Sequence, residues 1–396
     1  MARRLPQLIR RALALAWKVN PRAAIALLVC QAASGVLEAF GLLATSVPQT
    51  SVLFLIRRAL ARGPSAERSW SVQTVRIANF NAYKLNKTAR GTTAWKARVT
   101  TVQEIAPAIL SLQEVLVDHS TAPNDRWDTE AADTIHSFAA DCGLTATVTA
   151  TSGYPHGTVM ASNSNRPWYT AILWNPDLVG LVPGSYRPYG APDFWHGLTT
   201  AQFDLGAGEP VTVASYHGDP IRPDGRYNEA LRIKSIFRRT AGVKRGFVIG
   251  DFNALSAARR APHLGDGGSG SLGYYDAEPY GDQDHDDLEF QLLADTVGKE
   301  QLADRRQSAA LLRRGFMVDA AAHLGAPWEA TVGYWEDGRG DPDPWGERRI
   351  DLILATRPTA PGLVGYRLHR TAAALEASDH LCPVVDVSAD AFTEGC

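Results

Sequence analysis

Apolar and polar positions alternate along 72–80, and the same two-residue period or a short apolar run recurs at 108–112, 169–174, 210–215, 246–249, 350–355 and 382–387. These segments read as strands. A helical period over 96–105, 130–141 and 226–239 places helices between them. Strands and helices interleaved through short connections predict an α/β sandwich.

One stretch follows neither period. Residues 23–56 form an apolar run of 34 in which Glu38 is the only charge, longer than the ~20 residues a helix needs to span a bilayer. Arg3, Arg4, Arg10, Arg11, Lys18 and Arg22 precede it without an acid, and Arg57, Arg58 and Arg62 follow. The pattern predicts a basic, then apolar helical segment over 1–62, read as a single-pass membrane anchor through 23–56 and hence a membrane-associated protein. A signal removed on secretion, an Arg-rich transit segment and a helical pair packed on protein are the alternatives. Gly63, Pro64, Ser65 and Ser69 mark 63–71 as a linker, and 72–390 as the body.

Composition narrows the function classes. Lys and Arg total 40 against 42 Asp and Glu, which excludes a basic coat over the whole chain but not a local basic groove. Cys30, Cys142, Cys382 and Cys396 show no CxxC spacing, so neither a disulfide scaffold nor a structural zinc is expected. There is no P-loop and no Gly-x-Ser-x-Gly elbow.

The polar residues collect at strand ends. Asn81 closes the first strand, Gln113-Glu114 the second, and His217 follows 210–215. Gly250-Asp251-Phe252-Asn253 follows 246–249, Asp351 heads 350–355, and Ser378-Asp379-His380 precedes the last strand. Strand ends are rigid, so gathering them makes a preorganised polar site. Carboxylates and amides supply oxygens for a hard divalent cation, which keeps positions for water and phosphate. The histidines supply protons or hold a phosphoryl oxygen.

In this order the motifs Phe80-Asn81, Leu112-Gln113-Glu114, Tyr216-His217, Gly250-Asp251-Phe252-Asn253, Arg349-Ile350-Asp351 and Ser378-Asp379-His380 resemble the endonuclease/exonuclease/phosphatase superfamily of metal-dependent phosphoesterases. Pancreatic-type deoxyribonucleases, AP endonucleases and sphingomyelinases are members. The resemblance implies a four-layer α/β/β/α sandwich with two central mixed sheets, and hydrolysis of a phosphodiester or phosphomonoester by metal-assisted in-line attack of water. It implies Mg²⁺ as cofactor, with Mn²⁺ or Ca²⁺ as alternatives, held by Glu114 with Asn81 and Asp379. Asp251 would orient the water, Asn253 grip the phosphate, and His217 and His380 face it, with Asp351 as the partner of His380. Two departures stand out. Asn79 lies on the same strand face as Asn81 and competes with it, and Ser215-Tyr216-His217 stands where many members have Asn-Thr-His.

Nuclease activity is the default expectation for such a chain. A membrane-tethered phospholipid or phosphoinositide phosphoesterase is the alternative raised by 23–56, and a non-catalytic interaction protein on the same fold is a second. Substrate contacts are expected from Arg226 and Arg232 after His217. Further contacts are expected from Trp335, which with Trp328, Tyr334 and Trp345 lies before Asp351. Arg166 and Arg222 are placed to reach phosphates as well. Residues 263–300 carry ten acids against Lys299, a pattern of a solvated loop or of an irregular second metal site.

Overall fold

The computed structural model describes residues 74–118, 120, 122–148, 153–206, 208–240, 242–260, 273–279, 291–293, 302–334 and 346–392. The segment 1–62, the linker 63–71, most of the acidic insert and the loop with Trp335 and Trp345 lie outside them. Among the described residues no helix is long and apolar enough to cross a membrane.

Two large mixed sheets carry the fold. The first contains β1 (Thr74–Leu85), β2 (Ile109–Leu116), β3 (Met160–Ser162), β4 (Trp168–Trp174), β14 (Leu363–His369) and β15 (Cys382–Ser388), in the order β14-β15-β1-β2-β4-β3. The second contains β5 (Gly180–Leu181), β7 (Leu198–Asp204), β8 (Val211–His217), β11 (Gly246–Asp251), β12 (Met317–Asp319) and β13 (Asp351–Thr356), in the order β12-β13-β11-β8-β7-β5. The short β6 (Arg187–Tyr189) also pairs with β7. A two-stranded ribbon, β9 (Arg238–Arg239) with β10 (Gly242–Val243), stands apart. β1 runs parallel to β2, and β8 parallel to β11, while the other neighbours in the two sheets are antiparallel.

The period of two assigns each strand face to a different core. Ile77, Ile109 and Ile172 of the first sheet share one buried cluster with Val213, Ile249 and Ile353 of the second. Alternate residues Ala78, Phe80, Leu110 and Leu112 pack in another cluster with Val102, Ile105, Ile135 and Phe138. Those four lie on helices α1 (Thr93–Ile105) and α2 (Trp127–Asp141). Ala214, Val248 and Leu354 pack with Ile233, Phe237 and Leu311, from α3 (Pro223–Phe237) and α4 (Arg306–Leu312). Two shorter helices, α5 (Ala320–His323) and α6 (Ala372–Ala377), complete the set among the described residues. Full burial of each such aliphatic or aromatic side chain contributes about 1.5–3 kcal/mol.

The helices begin where local chemistry permits. Thr92 caps α1 by accepting from Trp95 N at 3.2 Å, and α3 opens on Pro223, which needs no N–H partner at that position. The inner faces of the strands change character toward one end. Ile77 is followed by Asn79 and Asn81, Ile109 by Ser111 and Gln113, Val213 by Ser215 and His217, and Ile249 by Asp251, in successive steps of two residues. One period therefore builds both the core between the sheets and the polar end above it. Gly250 lets β8 and β11 close up there, because a Cβ would meet Tyr216 O at 1.7 Å.

Candidate active site

Register places three of the expected residues side by side. Asp251 is paired with Asp351 across β11 and β13 and with His217 across β11 and β8. Asp351 is fully buried. Its Oδ2 lies 2.8 Å from His380 Nδ1, its Oδ1 accepts from Asn79 Nδ2 at 3.0 Å, and its N–H donates to Thr331 Oγ1 at 3.2 Å. His380 is also fixed through its backbone, which donates to Ser378 Oγ at 3.1 Å while that hydroxyl donates to Asn81 O at 2.7 Å. Burial alone would lower the His380 pKa, but Asp351, then Asp379 and Asp251, hold it well above the ordinary imidazole value. The ring is an imidazolium whose Nδ1–H donates to Asp351.

Asp251 is the hub. Its Oδ2 accepts from Asn81 Nδ2 at 3.1 Å, with His217 Nε2 at 3.6 Å and His380 Nε2 at 4.0 Å. Its Oδ1 accepts from Asn253 N at 2.8 Å. Burial pushes this carboxyl up to about 7, with His380 opposing the rise and Asp351 adding to it. Asn253 adopts φ 49°, a left-handed conformation that Asn tolerates better than most residues, and its Nδ2 donates to Gly218 O at 3.1 Å.

From the first sheet, Asn81 Nδ2 also reaches Glu114 Oε1 at 3.2 Å, and Asn81 Oδ1 accepts from Tyr83 N at 3.2 Å. Glu114 Oε2 accepts from Lys84 N at 3.0 Å. Glu114 has φ 58°, and the pairing of β2 with β4 shifts register between Leu112 and Val115. That irregularity turns the carboxylate toward Asn81. Arg98 ties the neighbourhood together by donating to Tyr83 O at 2.9 Å and Ala377 O at 3.0 Å. Burial raises the Glu114 carboxyl, against the pull of His380.

His217 has a neighbour that the sequence reading missed. His196 stacks on it with ring centroids 3.9 Å apart and planes at 27°, and Trp168 lies 5.8 Å from the far ring. Burial lowers His196 to about 3, and burial, His196 and His380 together hold His217 well below the imidazole range. The site therefore holds one imidazole toward its charged form and two toward the neutral form.

A protein-family model described as the endonuclease/exonuclease/phosphatase family matches residues 78–380, which include every residue of this constellation. The chain belongs to the endonuclease/exonuclease/phosphatase family. Its members are hydrolases acting on phosphate esters and generally use divalent metals. Solved structures similar to the chain include an AP endonuclease from Archaeoglobus fulgidus, at 18% identity and a TM-score of 0.45 over 78% of this chain and 98% of that one. A mannosyl-6-phosphatase from Bacteroides thetaiotaomicron aligns at 14% identity and a TM-score of 0.45, over 78% and 98%. A family protein from Beutenbergia cavernae aligns at 15% identity and a TM-score of 0.47, over 80% and 72%. A search of curated protein sequences returned no match.

The donor set of this family member suits a hard cation. The Glu114 and Asp251 carboxylates converge on the Asn81 amide N–H, whose oxygen is turned to Tyr83 N, and Asp379 is near enough to Glu114 to add to its rise; burial raises both Glu114 and Asp251, the mark of carboxylates short of positive charge. Among the described residues no three His, Cys, Asp or Glu side chains form a ready metal cluster. Mg²⁺ asks for less, since one or two carboxylates suffice when water and phosphate complete its shell.

The expected substrate contacts fare differently. Arg226 is buried and its Nη1 donates to Asp219 O at 2.8 Å. It braces the loop after His217 and does not face substrate. Arg232 is spent on Asp193, at 2.8 Å, and lies over the Tyr189 ring. Trp335 lies outside the described residues. Arg166 and Arg222 flank an exposed edge, with guanidinium groups 3.5 and 4.4 Å from the Trp195 ring centroid, next to His196, and Arg222 also pairs with buried Asp219 at 2.6 Å. Buried Glu229 anchors this edge by accepting from Trp195 N at 2.7 Å and Asp219 N at 3.1 Å. Trp328 and Tyr334 hold structure as well, donating to Asp276 Oδ1 at 3.0 Å and Ser378 O at 2.8 Å. Asp276, from the acidic insert, is a buried partner of Arg349 at 2.7 Å.

Proposed function

We propose that this chain is a divalent-metal-dependent phosphoesterase that hydrolyses its substrate by in-line attack of water, on a four-layer α/β/β/α frame. The observation that carries the reading is the convergence on Asp251 of Asn81, His217 and His380. A carboxyl raised to about 7 is matched to accepting a proton from water at neutral pH. The imidazolium of His380 stabilises negative charge as it develops on a phosphoryl oxygen. Neutral His217 approaches the same Asp251 oxygen as His380 and offers a hydrogen bond without adding charge. Asn253 fixes the orientation of Asp251 through its backbone N–H. A divalent cation, Mg²⁺ by preference, held by Glu114, Asn81 and Asp379, would supply charge neutralisation at the phosphate.

Nucleic acid is the substrate class the family favours, and the Arg166–Trp195–Arg222 edge suits a base stacked beside its phosphate. The second reading, a tethered enzyme acting on phospholipid or phosphoinositide headgroups, rests on the apolar run 23–56. A turnover screen separates them: plasmid DNA, single-stranded oligonucleotide, sphingomyelin and phosphoinositides, each with Mg²⁺ and with chelator. Metal-dependent cleavage of the nucleic acids alone supports the first reading, and cleavage of lipids alone the second. No turnover of any of them with Mg²⁺ present would count against both.

A further inference from the structure

A second cluster of charge lies at the other end of the second sheet. Lys234, Arg238, Arg313, Arg314 and Arg357 line one cleft of about 480 Å³ with Phe316, and no carboxylate lines it. Arg357 directly follows β13, which begins at Asp351. The six-residue length of that strand at ~3.3 Å per residue puts the cleft roughly 20 Å from the catalytic end. It cannot share the reacting phosphate.

The cleft is built on ordered elements. Arg238 ends α3 and Arg313 ends α4. Lys234 Nζ donates to Ala310 O at 2.8 Å and lies 4.9 Å from the Phe316 ring centroid, joining the two helices. Arg314 is held at φ 59° in the turn before β12. Among the described residues these cations have little to neutralise them. Two helix C-termini offer roughly half a negative charge each, against five formal positive charges. Arg239, next to Arg238 in the chain, has its own acid, Glu209, at 3.1 Å. Burial and then Arg238, Arg313 and Arg314 lower the Lys234 pKa, as uncompensated like charge requires.

We propose that this cleft is an anion site, distinct from the catalytic one, that takes a multiply charged phosphate group. Four guanidinium forks match phosphate oxygens in pairs. The volume and the charge exceed what a single inorganic phosphate would use. The proposal is independent of the hydrolytic reading.

Titration calorimetry on the full chain tests it, with inorganic tripolyphosphate as the soluble probe, in chelator and at low salt. A second arm measures sedimentation with phosphatidylcholine vesicles with and without a phosphoinositide. Saturable binding of tripolyphosphate that weakens with added salt is expected. Arg313→Glu with Arg357→Glu should weaken it about tenfold or more, the scale of one charge-assisted hydrogen bond, and Arg313→Gln with Arg357→Gln should weaken it less. Vesicle binding that needs the phosphoinositide and falls in the same variants supports a headgroup as the source, and its absence beside tripolyphosphate binding supports a soluble one. Unchanged hydrolytic turnover and thermal midpoint in the variants show that the fold and catalytic site are intact. Binding that the charge-reversed pair leaves unchanged, or no saturable binding in either arm, overturns the proposal.

Discussion

Asp351 Oδ2 and His380 Nδ1 are 2.8 Å apart, and this buried contact sets the charge of the candidate site. The other Asp351 oxygen is taken by Asn79, so the carboxylate has no freedom to turn away. The folded-state pKa of His380 is raised. The stability contributed by the pair is therefore full below the ordinary imidazole value near ~6.5 and is lost as pH rises through the raised one. Loss of the imidazolium should lower turnover on that alkaline side, while protonation of Asp251, raised to about 7, should lower it on the acid side. In Asp351→Asn the fall should move to lower pH, and turnover should drop roughly a hundredfold. His380→Ala should lose at least as much, and the double variant little more than the worse single one. Losses that multiply would show that the two residues act separately.

Glu114 supplies a carboxylate from the first sheet, oriented by its own left-handed backbone. Glu114→Ala should abolish Mg²⁺-dependent turnover and weaken Mg²⁺ binding seen by calorimetry, with the melting curve of the metal-free protein close to wild type. Full activity at limiting metal would remove Glu114 from the metal site.

His196 keeps His217 neutral in two ways, by covering its ring from water and by setting a second imidazole against a positive charge there. His196→Ala removes both, so the His217 pKa should rise toward the ordinary value, readable by NMR titration of its ring. Turnover near neutral pH should fall about tenfold as the ring gains charge, within the range of acid–base contributions. An unshifted His217 titration would contradict this.

The motifs at strand ends were legible because strand period assigns their faces without any knowledge of pairing. The same period marked Asn79 and Asn81 as neighbours on one face, but not that they divide the work. Asn79 serves Asp351, and Asn81 serves Asp251 and Glu114. His196 was invisible because it precedes β7, a strand of Leu198–Asp204 rich in Thr and Gln whose weak apolar signal marked no strand end. The contacts of Arg226 with Asp219 and of Arg232 with Asp193 were not legible, because a helix period does not say what lies opposite a basic residue. β2 continued past its expected end because a positive φ at Glu114 leaves no trace in residue type.

Arg349 shows how much of the acidic insert is structural. It is buried between Asp276 and Asp319, each at 2.7 Å, two positions before Asp351. Arg349→Met should leave two buried carboxylates without a countercharge and destabilise the fold by about 3–5 kcal/mol in chemical denaturation. A loss under about 1 kcal/mol would show that water reaches them.

The most direct test of the account is hydrolysis of a cleaved substrate in heavy-oxygen water with Mg²⁺, comparing wild type with Asp251→Asn. The account predicts one solvent oxygen in the phosphate product and a rate at least about a hundredfold lower in the variant. No solvent oxygen in the phosphate product, or a variant as fast as wild type, would contradict attack by a water that Asp251 aligns.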